Sequence, residues 1–191
     1  MYRIIRIISI LIPLCFTTNF TFSQGRFSIY AGIGGMYYLG DLKENALPDF
    51  RTVKLAINAG VQYNISPHFV AQINYLHGSL EGDDAYNSEQ GKRNRNLRFK
   101  TKIDEISLRF NFNILRERQK RIVPYLIAGF GVFHFNPTAD GVALQPLGTE
   151  GQFIPGGGYP SPYSLWQMDV PLGIGIRYRF GCHFGTKLEA V

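Results

Sequence analysis

The stretch VKLAINAGVQYNI, residues 53–65, alternates with almost no error. Val53, Leu55, Ile57, Ala59, Val61, Tyr63 and Ile65 take one face, and Lys54, Ala56, Asn58, Gly60, Gln62 and Asn64 the other. Side chains along a strand point to opposite faces with a period of two, so this segment is a strand with one apolar and one polar wall. The pattern recurs at Ile106–Ile114, where Phe110 and Phe112 share the apolar face, and at Met168–Phe180. In a soluble barrel or sandwich the apolar face would point inward. Here the opposite, polar faces are short-chained and rich in Gly, as the lumen of a narrow barrel requires. The apolar faces also end in aromatic residues, which is how a membrane-spanning barrel reads.

Seven candidate strands follow from this pattern. They begin at Arg26, Val53, Phe69, Glu105, Ile122, Gln167 and His183. With the first strand rising from the periplasm, Phe27, Tyr63, Phe69, Phe112, Tyr178, Phe180 and Phe184 form a lower aromatic rim, and Tyr37, Tyr75 and Trp166 an upper one. Aliphatic residues fill the band between them, as expected at two membrane–water interfaces. Connections alternate between short (66–68, 116–121, 181–182) and long (40–52, 77–96, 136–163), the signature of periplasmic turns and extracellular loops. Arg98, Lys100 and Lys102 occupy the outward face above Ile106, so that strand is expected to project beyond the bilayer, with a bulge where the apolar phase changes between Ile103 and Ile106.

Residues 1–24 read as a secretory signal peptide: Arg3 and Arg6, then an apolar run from Ile7 to Phe16 too short to span a bilayer, then a polar segment before Gly25. Cys15 follows Leu14, too bulky for a lipoprotein processing site, so no lipid anchor is expected. Residues 25–191 then form one barrel domain in the outer membrane. Removing the leader takes away two arginines and no acids, which lowers the net charge from +6 to +4. A modest positive balance on an exported chain points to anionic lipid headgroups and not to nucleic acid. Cys182 alone remains and cannot form an internal disulfide, and neither a CxxC pair nor a metal-spaced His/Cys cluster occurs. Asp83 and Asp84 are adjacent acids, which do not make a coordination shell. No cofactor or metal is expected.

Several segments resemble one family of small outer-membrane barrels, the PorG-like proteins linked to the type IX secretion system. They are Tyr37-Tyr38-Leu39-Gly40-Asp41-Leu42, Pro124-Tyr125-Leu126-Ile127-Ala128-Gly129, Phe133-His134-Phe135-Asn136-Pro137 and Leu147-Gly148-Thr149-Glu150-Gly151-Gln152. The resemblance implies an eight-stranded barrel, association with secretion machinery and no catalysis. It also implies an acidic, aromatic closing segment past the seventh strand. The expected fold is therefore all-β, a transmembrane antiparallel up-and-down barrel, eight-stranded in the intact protein with about seven strands here and an eighth beyond Val191.

Glu105, Arg109, Asp169, Arg177, Arg179 and Glu189 fall on inward faces. Charges of both signs in a narrow lumen should pair into a plug, the alternative being a gated polar path. The long third loop, with Phe153, Tyr159 and Tyr163 and Trp166 at its end, is the candidate partner-binding face. His77, Ser79 and Glu81 share a face at the top of the third strand, the residue types of an ester hydrolase, but Gly78 separates the first two and a polar loop begins there. The chain is expected not to be an enzyme. It reads as a structural or partner-binding envelope component, its partners being outer-membrane lipid and envelope or secretion-system proteins. An adhesion or envelope-integrity barrel and a lipid-modifying enzyme are the alternatives.

Overall fold

The computed structural model of the protein describes residues 16–24, 26–38, 52–84, 90–95, 98–116, 121–148, 162–180 and 184–191. Ten strands form one antiparallel sheet: β1 (Phe16–Gln24), β2 (Phe27–Met36), β3 (Lys54–Asn64), β4 (Phe69–Asp83), β5 (Arg98–Asn113), β6 (Ile122–Ala139), β7 (Val142–Ala143), β8 (Trp166–Asp169), β9 (Leu172–Arg179) and β10 (Phe184–Ala190). The sheet runs β5-β4-β3-β2-β1-β10-β9-β6, and β6 pairs back onto β5, so it closes on itself. Strands β8 and β9 are one wall element: both pair with β6 in a single continuous register, interrupted at Pro171, which has no N–H to donate. Counted so, and with the two-residue β7 set aside as a hairpin tip, the barrel has eight strands.

Within residues 1–191 the eighth strand is supplied from the N-terminal side. It is β1, drawn from the segment read as the tail of the signal peptide, and it fills the slot between β2 and β10. The reason lies in the residues: FTTNFTFSQ alternates as the other strands do, with Thr18 exposed and Asn19 fully buried in the lumen. Residues 1–15 and Cys182 lie outside the described residues.

Burial follows the expected alternation almost everywhere. Leu55, Ile57 and Val61 face out of β3 while Ala56, Asn58 and Gln62 are buried. The lower aromatic rim assembles as neighbouring rings, Phe27 on Tyr63 (4.7 Å), Phe69 on Phe112 (5.1 Å) and Tyr178 on Phe180 (5.0 Å). Ser66 Oγ accepts the Phe69 N–H (3.0 Å) and so tightens the β3–β4 turn.

Two expectations are corrected. No bulge exists in β5: its register with β4 is unbroken from Phe69↔Phe112 to Asp83↔Arg98. The apolar phase changes because the inside changes, not because the backbone does. Ile103 points inward and packs with Met36, Ala56, Leu76 and Leu80, flanked by Phe133 and Phe135, while Arg98, Lys100 and Lys102 stay outward. Tyr37 likewise is not on the outer rim. Strand β2 ends at Met36, and Tyr37 is buried just beyond it.

Part of the third long connection lies among the described residues. Strand β6 runs to Ala139 and turns through Asp140 (φ 50°) and Gly141 (φ 84°) into β7. Two consecutive left-handed residues make a type I′ hairpin, the turn that Asp-Gly favours. A short 3-10 turn, Gln145–Leu147, follows. In the second connection Gln90–Arg95 form one helical turn and a half.

Candidate functional site

Two groups of polar side chains are set apart by their position, one in the lumen and one on the outer wall. In the lumen, the odd-numbered residues of β5 point inward. Arg109 donates from Nη2 to Glu105 Oε1 (2.9 Å) and from Nε to Ser107 Oγ (3.0 Å). Across the interior, the Tyr125 hydroxyl donates to Glu189 Oε1 (2.6 Å), and Lys187 Nζ lies 3.6 Å from the same oxygen. Lys187 also donates to Gln62 Oε1 (3.2 Å) and sits 3.7 Å from the centre of the Tyr30 ring. The Arg177 guanidinium lies over Tyr125 (5.2 Å). Tyr30 donates to Asn74 Oδ1 (2.9 Å), and Asn111 Nδ2 to Gln72 Oε1 (3.0 Å).

Glycine makes room for the two large rings. A Cβ at Gly60 would strike Tyr30, and one at Gly175 would strike Tyr125. Each ring thus occupies space that a neighbouring strand has vacated.

Of the six charged residues predicted for the lumen, Glu105, Arg109, Arg177 and Glu189 are buried there, and Asp169 points inward with its carboxylate against Gly131. Arg179 lies two residues further along the same face of β9 as Arg177. It is half-buried near the short turns, where its N–H donates to the Arg121 carbonyl (3.0 Å). Sequence reasoning missed Lys187, although it lies two residues from Glu189 and therefore shares its face. It also missed Tyr30 and Tyr125 as partners of the charges. Three cations (Arg109, Arg177, Lys187) and three carboxylates (Glu105, Asp169, Glu189) then fill the interior. Glu105 is paired with Arg109, and Glu189 with Lys187 and the Tyr125 hydroxyl, which makes these buried charges tolerable and the arrangement chemically a plug.

On the outer wall the cross-strand register defines rows. Tyr75, Ile106, Val132 and Met168 are paired in sequence across β4, β5, β6 and β8, and form the last apolar row. One step further, His77, Asp104, His134 and Trp166 pair in the same way. The step after that holds Ser79, Lys102 and Asn136, and the next Glu81, Lys100 and Thr138. Asp104 Oδ1 accepts from the Tyr75 hydroxyl (2.7 Å) and from His77 Nδ1 (2.7 Å). These two hydrogen bonds, that of Tyr75 first, hold the Asp104 carboxyl below the usual carboxylate range.

His77, Ser79 and Glu81 do share a face, and His77 and Glu81 each have a partner on another strand. Asp104 takes His77, and Lys54 Nζ takes Glu81 (2.7 Å). No side-chain hydrogen bond joins Ser79 to His77 among the described residues. Of the loop candidates, Trp166 is exposed against His134 (ring centres 5.1 Å apart), while Tyr163 stacks on Phe135 (5.8 Å) with its carbonyl accepting from Gln145 Nε2. Phe153 and Tyr159 lie outside the described residues.

Residues 5–140 match the domain of unknown function DUF6089. The chain belongs to the DUF6089 family. The DUF6089 match reaches from residue 5 through β1 to the β6 hairpin, and so takes in the outer-wall rows of β4, β5 and β6. Arg177, Lys187 and Glu189 of the lumen fall after it. No curated protein and no solved structure matches the chain.

Proposed function

We propose that this DUF6089 protein is an outer-membrane β-barrel that serves the cell envelope without catalysis, as a structural or partner-binding component. The observation that carries the reading is the inside-out polarity of the closed wall. Leu55, Ile174, Ile29, Ile73, Leu172 and Phe130 are each about 60–70% exposed on its outside, while Asn, Gln and paired charges fill its inside. Soluble monomers rarely expose contiguous apolar patches above a few hundred Å². The outward apolar run on β5, Ile106–Ile114, covers roughly 27 Å along the strand, and a tilt near 40° reduces this to about 20 Å, close to the ~25 Å band of such barrels. The barrel lies in the outer membrane, reached through a leader within residues 1–24, with its long loops outside.

The plugged lumen argues for contact through loops and wall and against conduction. The link to protein secretion of the type IX kind is supported by the sequence resemblance to PorG-like barrels. A deletion strain tests it: loss of export of the apparatus's cargo is expected, and normal export with an intact envelope would remove the secretion role. Membrane fractionation of the native protein tests the placement separately. Unchanged lipid patterns in His77→Ala and Ser79→Ala strains would agree with the non-catalytic reading.

A further inference from the structure

The outer wall carries charge where the apolar band stops, and its carboxylates there are each engaged while two of its lysines are not. Lys100 and Lys102 are both exposed on β5, one and two cross-strand rows beyond the His77–Asp104 row. The acids nearby are already engaged: Asp104 by Tyr75 and His77, Glu81 by Lys54, and Asp140 by Arg98. Neither Lys100 nor Lys102 has an ion-pair partner among the described residues. Lys102 is flanked in register by Ser79 on β4 and Asn136 on β6, so three hydrogen-bond donors stand side by side on adjacent strands roughly 5 Å apart. Trp166 and Tyr75 mark the level just below, as interfacial aromatics do.

From this juxtaposition we propose that Lys100, Lys102, Ser79 and Asn136 form a binding site for the phosphorylated headgroup of a membrane lipid on the long-loop side of the bilayer. The acyl chains lie against Ile106, Val132 and Leu108, and the phosphate meets the ammonium groups of Lys102 and Lys100, which stand two and three rows above Ile106. Ser79 Oγ–H and the Asn136 amide donate to the phosphate oxygens, which a neutral headgroup could not exploit in the same way. Charge complementarity selects this occupant: the patch has unpaired cations and no unpaired carboxylate, at the depth where lipid phosphates sit. The inference rests on the reading of the barrel as membrane-embedded.

Native mass spectrometry of the full chain, released from vesicles of phosphatidylcholine doped with lipid A or with dephosphorylated lipid A, tests it. Wild type should retain lipid A in preference to the dephosphorylated form. The double variant Lys100→Gln, Lys102→Gln should lose this retention by roughly tenfold to thirtyfold, as two headgroup-level cations predict. The exposed Arg121→Gln, at the opposite rim, should retain lipid A as wild type does, and a compact band on unheated gels that shifts on heating verifies that each variant is folded. Millimolar inorganic phosphate should compete weakly. Complete displacement would mean a free-phosphate site and overturn the lipid assignment. Equal retention of both lipids, or wild-type retention by the double variant, would overturn the site while leaving the barrel in its membrane. A wild-type chain that does not enter vesicles at all would overturn both.

Discussion

Removal of residues 1–24 should prevent the remaining chain, residues 25–191, from closing. Strand β1 pairs with β2 over nine residues and with β10 over seven. An antiparallel ladder averages about one backbone hydrogen bond per paired position, so about sixteen are lost. At a net 0.5–1.5 kcal/mol each this is roughly 8–24 kcal/mol, and the orphaned groups cost more where hydrocarbon replaces water. A whole domain is stable by only about 5–15 kcal/mol. The assay is refolding into lipid vesicles followed by gel migration without heating, on which a closed barrel runs as a compact band. Residues 1–191 should give that band and residues 25–191 should not, while a peptide of residues 16–24 added in trans should restore it by strand addition. A compact, heat-sensitive band from residues 25–191 alone would refute the reasoning.

The same geometry turns the leader question into a structural one. Cleavage after Gln24 would take β1 with it, and the slot between β2 and β10 would then need another strand of the same pattern, polar inward and apolar outward. The N-terminal sequence of the protein isolated from envelopes decides which strand occupies the slot in the cell.

Tyr125→Phe should destabilise the barrel by about 1–3 kcal/mol, because Glu189 is left in the lumen without its hydroxyl donor; an unchanged urea midpoint would show that the hydrogen bond contributes nothing. Arg109→Ala should cost about 3–5 kcal/mol by stranding Glu105, whereas Arg109→Met with Glu105→Leu should cost much less, and additive losses in the two single variants would contradict the pairing. The depressed Asp104 carboxyl stabilises the fold above its unfolded value near 4 and loses that contribution as pH falls through the lower folded value. Wild type should therefore lose stability below about pH 4 more steeply than Asp104→Asn, measured by urea unfolding across pH 2–6, and coincident profiles would remove this role.

Most of the wall was legible because period-two alternation survives in every strand, and the aromatic rim and loop asymmetry follow from it. The two errors share one cause. At Ile103 the sequence places an apolar residue on the inward side of the barrel's upper end, and Tyr37 is buried just past the end of β2; a rule of apolar-out cannot accommodate either without a bulge or a shifted face. The structure keeps the backbone regular and inverts the polarity instead. Below the Tyr75–Ile106–Val132 row the barrel is apolar outside and amide-lined inside. Above it, Lys100 and Lys102 face out, and Met36, Leu76, Leu80 and Ile103 pack within. The upper end is thus apolar-cored with charge outside, built directly on a lower part of the opposite polarity.

The site was less legible than the wall for a related reason. Glu105 and Arg109 lie four apart on one strand and can be paired from spacing alone, but the partners of Glu189 come from β6, β9 and β10, which meet only when the sheet closes. His77 shows the same limit: its neighbours in sequence offered Ser79 and Glu81, whereas the register across β4 and β5 brings Asp104. The division of the barrel also bears on its use. An apolar core packs the upper end of the barrel, and the β6 hairpin and the Tyr163–Trp166 segment are carried next to it. For a protein proposed to act by contact, that end, and not the plugged lumen, is where a partner would read the fold.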